Sequence, residues 1–322
     1  MLKRSKLKVE SIKFRSESLM NNILGDPYER EAIVIENHVK ENTPVLIGLS
    51  GFFGSSLTFL NERYAGVDFM DVLSSLSDRG VPFIIVLPDT MTSYYGNQFV
   101  NSEAVGNYED FIAKDLVSVI REKYGERNIG IFGKSSGGFG AYTIASRHHE
   151  IFRGFIDVSG DSGFEYCYLR DFPYAVLELS RRSVRSFVKH FSTLTKPTNS
   201  EMSAMSIVAA SAFYSPKKGG RGSIDLPFSR KDHMLREDVW KKWLSFDPVR
   251  NVHTYADNLR DMKVILQVGN RDEFFINIGM RALSAGLKEN KIKHEYMEYD
   301  DGHFNIEYFY LRSIPSLIKA LS

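Results

Sequence analysis

From residue 44 onward the chain repeats one pattern: a short, largely apolar run, a turn, then a stretch whose apolar residues follow a helical period. The runs fall at 44–49, 82–87, 129–132, 154–160 and 263–269, and each is apolar almost throughout. A strand with one wet face alternates apolar and polar side chains, so a strand without that alternation must be covered on both faces. Strands of this kind, separated by helices, specify an α/β fold with a mostly parallel central sheet and helices on both faces. Segments 8–14 and 31–35 read as outer strands and 295–299 as a last one. The expected helices cover about 69–77, 107–124 and 276–287, with a final one broken near Pro315. In the second, Tyr108, Phe111, Ile112, Leu116, Val119 and Ile120 share one face, Asn107 caps the start and Gly125 closes the end.

Between 161 and 262, after the sixth core strand, the alternation stops. This stretch mixes helical segments such as 175–191 with the glycine-rich 217–222, and it has no strong core pattern of its own. The expectation is therefore one domain over 1–322, with 161–262 an insertion packed like a cap over the strand ends. Length allows one large α/β domain, and 43% hydrophobic with 25% charged residues is globular composition. A net charge of +1 gives no electrostatic reason to expect nucleic acid or an anionic membrane as partner. The basic start, Met1 to Lys8, is not followed by the apolar core of a signal peptide, and no run reaches transmembrane length. The single Cys167 excludes an intramolecular disulfide and fits a cytoplasmic setting. Sixteen Tyr and 23 Phe exceed what a plain core requires, so some are expected to line a pocket.

The run at 129–132 delivers Gly133-Lys134-Ser135-Ser136-Gly137. A serine presented where a strand turns sharply into a helix sits on strained backbone, and the residues two before and two after it must be small. Gly133 and Gly137 satisfy this for Ser135, whereas the frame centred on Ser136 puts Lys134 where a small residue is required. Ser135 is thus the candidate nucleophile, and the backbone N–H of Ser136 one donor to a developing oxyanion. A phosphate-binding loop ending in the same Gly-Lys-Ser needs a glycine at 128, which is Asn128. A plain glycine-rich turn with an incidental serine is decided by whether partners follow.

They do. Asp272 follows one late strand and His303 the last, 31 residues further on. Nucleophile, acid, base in that order, each after a strand, is the arrangement of α/β-hydrolases. Glu273 is the alternative acid, and Asp300 and Asp301 read as parts of the turn before His303. The second oxyanion amide should come from the loop after 44–49, where Gly51 permits close approach; Phe52 is chosen, with Phe53 next. No His, Cys or carboxylate spacing suggests a metal, and no cofactor is expected. Glu165 and Arg170 read as a surface pair, with contact to a polar substrate as the alternative.

These residues, with Leu49-Ser50-Gly51-Phe52 and the stretch from Tyr95-Gly96-Asn97-Gln98 through Asn101 to Asp110, resemble the putative esterase family of α/β hydrolases. That family includes esterase D, antigen 85 mycolyltransferases, feruloyl esterases and enterochelin esterases. The resemblance implies a Ser135–Asp272–His303 triad and an oxyanion hole at Phe52 and Ser136. It departs from esterase D at Phe52-Phe53-Gly54-Ser55, where a cysteine is usual, and in its longer insertion. The expected activity is hydrolysis of a small-molecule carboxylic ester through an acyl-enzyme on Ser135. An acyltransferase using the same acyl-enzyme and a catalytically inactive binding protein on this fold are the alternatives. Whether the chain forms a homodimer stays open.

Overall fold

The computed structural model describes residues 7–219 and 222–322; the basic start at 1–6, and Gly220 and Arg221 of the glycine-rich loop, lie outside them. Eight strands form one sheet: β1 (Lys8–Arg15), β2 (Glu29–Asn37), β3 (Val45–Leu49), β4 (Phe83–Pro88), β5 (Ile129–Lys134), β6 (Phe152–Val158), β7 (Lys263–Gly269) and β8 (His294–Tyr299). Their spatial order is β1-β2-β4-β3-β5-β6-β7-β8. β1 and β2 add antiparallel, β2 runs antiparallel to β4, and every later neighbour pair is parallel. The apolar strands are buried on both faces as their composition requires. On β4, Ile84 and Val86 enter one core while Phe83, Ile85 and Leu87 enter the other.

One face is covered by α1 (Phe69–Asp78) and the C-terminal α9 (Tyr310–Leu321); the other by α2 (108–124), α3 (Ser136–Arg147) and α8 (Ile276–Glu289). Two helical readings need correction. Asn107 makes no capping bond through its side chain; Asn101 Oδ1 instead accepts the Glu109 and Asp110 amides, each at 3.1 Å. The last helix is not broken at Pro315. Proline removes the N–H that would bond the carbonyl four residues back, and that carbonyl, of Leu311, accepts from Nη2 of Arg79, the residue that caps the end of α1, at 3.4 Å.

The 161–262 stretch is helical, with α4 (Phe172–Arg181), α5 (Val184–Phe191), α6 (Asn199–Tyr214) and α7 (Glu237–Leu244). The single helix expected over 175–191 is two, because Ser183 in extended conformation caps the second through the Ser186 amide. Phe164, Tyr168, Phe172, Tyr214, Trp240 and Trp243 pack into one aromatic cluster. Phe139 of α3 touches both Phe164 and Tyr214, so this cluster is continuous with the core over the sheet. Tyr166 and Tyr174 are exposed.

Candidate active site

β5 ends at Lys134, and Ser135 adopts φ 58° and ψ −129° before α3 begins. Such a conformation costs an L-residue free energy and persists only where its surroundings enforce it. Here the Ser135 N–H is held by Val158 O (2.9 Å) and its carbonyl accepts the first α3 bond from Phe139 (3.0 Å). The flanking glycines are sterically obligatory. A Cβ on Gly133 would lie 2.2 Å from Gly137 O, and one on Gly137 would lie 2.2 Å from Leu49 O. The frame read from the sequence is therefore the one the backbone adopts: the strained residue is Ser135, and Ser136 is the first residue of α3.

Asp272 and His303 meet, both buried, with His303 Nδ1 2.7 Å from Asp272 Oδ2. Asp272 Oδ1 is held in turn by the Phe274 amide at 2.9 Å. Glu273, the rival acid, goes elsewhere: its carboxylate accepts the backbone N–H of His303 at 2.6 Å and does not touch the ring. Asp301 belongs to the turn, accepting from the Gly302 amide and from the Tyr308 hydroxyl. The loop carrying the histidine can lie against β7 only because Gly269 has no side chain, since a Cβ there would be 2.3 Å from Gly302 O. The elbow and this loop also meet, for the Lys134 ammonium lies 5.5 Å from the centre of the Phe304 ring. Among the described residues Ser135 Oγ has no hydrogen-bond partner, and a nucleophile–base contact is often long until substrate is bound.

In the loop after β3 the two candidate oxyanion amides differ. The Phe53 amide is committed to Tyr95 O at 3.1 Å, while the Phe52 amide has no partner among the described residues. A Cβ on Gly51 would come within 3.3 Å of Ser135 Cβ, so this loop runs directly beside Ser135. The first-turn amide of Ser136 is free of any helical acceptor by its position.

A network beneath Ser136 has no counterpart in the sequence reading. Ser136 Oγ accepts from Gln98 Nε2 (3.1 Å) and donates to Asp161 Oδ2 (3.3 Å), which also accepts from Tyr168 OH (2.7 Å). Burial pushes the Asp161 carboxyl up, against the pull of the Tyr168 hydrogen bond. The available signal was Gln98, a polar residue inside the very segment that carried the family resemblance. Phe191 of α5 packs against Phe53 and Tyr95, so the 161–262 stretch reaches the loop after β3 as well.

The family model described as "Putative esterase" matches residues 29–318. The chain belongs to that family. The esterase has the α/β-hydrolase fold, seen also in its similarity to solved structures. A ferulic acid esterase aligns with TM-score 0.59 and 16% identity over 98% of each chain. An S-formylglutathione hydrolase from Agrobacterium tumefaciens gives 0.58 and 16% over 98% of this chain and 95% of that one. The fluorophosphonate-binding serine hydrolase FphF from Staphylococcus aureus gives 0.57 and 13% over 99% and 100%. A search of curated protein sequences gives no match.

The esterase does not pair Glu165 with Arg170. Glu165 pairs with Arg250, and the Arg170 guanidinium lies over the rings of Phe274 (5.1 Å) and Phe275 (5.4 Å). Among the described residues no group of His, Cys, Asp and Glu side chains is arranged to hold a metal ion. No helix among them is long and apolar enough to cross a membrane.

Proposed function

We propose that the esterase is a serine carboxylesterase that forms an acyl-enzyme on Ser135. A serine hydroxyl is a weak nucleophile until a neighbouring base takes its proton, and that base needs an acid to fix its tautomer and stabilise its cation. The observation that carries the reading is the buried 2.7 Å contact between His303 Nδ1 and Asp272, which leaves Nε2 as the basic atom.

In this mechanism Nε2 removes the Ser135 proton as Oγ bonds to the ester carbonyl carbon. The carbonyl oxygen takes the negative charge and is held by the amides of Phe52 and Ser136. Collapse breaks the bond to the alcohol oxygen, which leaves with the proton from His303. Water then repeats the sequence on the acyl-enzyme, releasing the carboxylic acid and restoring Ser135. The 161–262 insertion belongs to the same domain and forms one wall of the site, a reading supported by the shared Phe139 contacts and by Phe191 on the oxyanion loop. The one cysteine, buried at Cys167, suits a cytoplasmic protein.

Ser135→Ala tests the assignment with 4-nitrophenyl acetate and a fluorophosphonate probe. Loss of both turnover and labelling with an unchanged circular dichroism spectrum is expected. Turnover within about tenfold of the parent enzyme refutes the nucleophile, because loss of a triad serine costs several orders of magnitude.

A further inference from the structure

His303 packs against two aromatic rings that also touch each other, with the Phe274 and Phe304 centroids 5.9 Å apart. Phe274 packs against the histidine with centroids 4.7 Å apart and Phe304 with centroids 5.2 Å apart. Each ring carries a cation on its other contact: Arg170 over Phe274 at 5.1 Å, and Lys134 over Phe304 at 5.5 Å. One cation comes from the insertion and the other from the residue preceding the nucleophile, so two separate parts of the chain bring positive charge to the same histidine.

Neither cation forms an ion pair or hydrogen bond among the described residues, and the acids around them are engaged elsewhere. Glu307 is bound by Arg63 at 2.6 Å, Asp272 holds the His303 ring and Glu273 the His303 amide. Asp171, next to Arg170, accepts from Ser203 Oγ at 2.9 Å. An enclosed ammonium with no acid bonded to it is costly, and titratable groups perturbed by burial cluster at functional sites. For Lys134 the enclosure is real: burial pushes its ammonium below the usual lysine range, against the opposing pull of Glu307.

The side of the site matters. His303 is the group that protonates the departing alcohol, so charges held one ring away from it face the alcohol portion of the ester rather than the acyl portion. We infer that the preferred substrates are esters whose alcohol portion bears an anionic group, a carboxylate or a phosphate, recognised by Lys134 and Arg170. This inference rests on the serine-esterase reading and specifies its substrate class.

The test uses acetate esters sharing one aryl ring: phenyl acetate, 4-acetoxybenzoate and 4-acetoxyphenyl phosphate. Each kcat/KM is divided by the alkaline hydrolysis constant of that ester, which removes intrinsic reactivity. The expected result is a corrected preference of about tenfold or more for at least one anionic ester, falling as salt is raised. The carboxylate and phosphate arms identify which anion fits.

Lys134→Gln should reduce that preference about tenfold, chiefly through KM for the anionic ester, and the more exposed Arg170→Gln about threefold. Arg121→Gln, which removes an exposed charge at the opposite end of the sheet, should leave the preference intact. Two results overturn the inference: corrected values for both anionic esters no higher than for phenyl acetate, or a preference that survives in the Lys134→Gln/Arg170→Gln double variant. Hydrolysis of phenyl acetate without anionic preference overturns the charge recognition alone. Failure of folded enzyme to hydrolyse any of the esters overturns the esterase mechanism and the recognition together.

Discussion

Asp157 offers a quantitative test of the interior beneath the elbow. It lies on β6 with no exposed surface, bonded at Oδ1 by the Gly160 amide at 2.8 Å and with no partner at Oδ2. Burial and the nearby Asp161 charge push its carboxyl up to about 7, with the Gly160 hydrogen bond opposing them. An acid raised in the folded state keeps a proton that the unfolded chain releases. Between about pH 4 and pH 7 the native state therefore binds more protons, and stability falls as pH rises through that window. The shift from 3.8 to about 7 corresponds to a loss of about 4 kcal/mol, complete above pH 7, of which about 3 kcal/mol falls between pH 5 and pH 8.

Asp157→Asn keeps the shape of the protonated acid and cannot ionise. Urea unfolding of both proteins at pH 5, 6, 7 and 8 should show the variant gaining about 3 kcal/mol on the parent across that range. Parallel pH profiles, or a variant that loses ground as pH rises, would refute the reasoning.

Three further outcomes follow from the same geometry. Asp272→Asn should lower kcat about 10⁴-fold by presenting the wrong tautomer of His303, whereas Glu273→Gln, which touches only the backbone amide, should cost less than about tenfold; steady-state kinetics separates them. Ser135→Gly should be more stable than Ser135→Ala by about 1 kcal/mol, because glycine accepts φ 58° without strain; equal denaturation midpoints would show that the elbow stores none. Trp243→Ala, which empties a fully buried site and removes the indole bond to Ser215, should cost about 3–5 kcal/mol in a single unfolding transition. A separate early transition would instead mark the insertion as its own folding unit.

The sheet and the elbow were legible because the physics behind them is local. A strand buried on both faces must be apolar along its length, and a strained serine turn needs Gly133 and Gly137 at fixed offsets. Where partners lie far apart in sequence, local pattern failed. Asn107 holds the N-cap position, but the side chain that bonds the first amides of α2 is that of Asn101, because a loop folds back onto its start. The carbonyl that Pro315 leaves without its helical donor is met by Arg79, the C-cap of α1. Glu165 faced a choice of cations that composition does not rank, and the fold brought Arg250 to it. The choice between Asp272 and Glu273 was likewise a question of which way two adjacent carboxylates point, which only the path of the His303 loop determines. The same holds for Phe52 and Phe53, where the Tyr95 carbonyl claims one of two neighbouring amides.

The two loops that bring Asp272 and His303 together are stitched along their length. Asn270 donates to Tyr299 O, the Arg271 amide to Asp301 O and its side chain to Asp300 O, while Glu273 holds the His303 amide. With Gly269 letting one loop rest on the other, Asp272 and His303 form a pre-assembled cassette whose internal geometry resists change. The serine belongs to a different block, made of β5 and α3. Under the serine-esterase reading, a change in how this cassette sits against the elbow would alter the Ser135–His303 approach without first disturbing the Asp272–His303 contact. In hydrogen exchange the two loops should open as one unit, with a shared free energy, and the elbow on its own schedule.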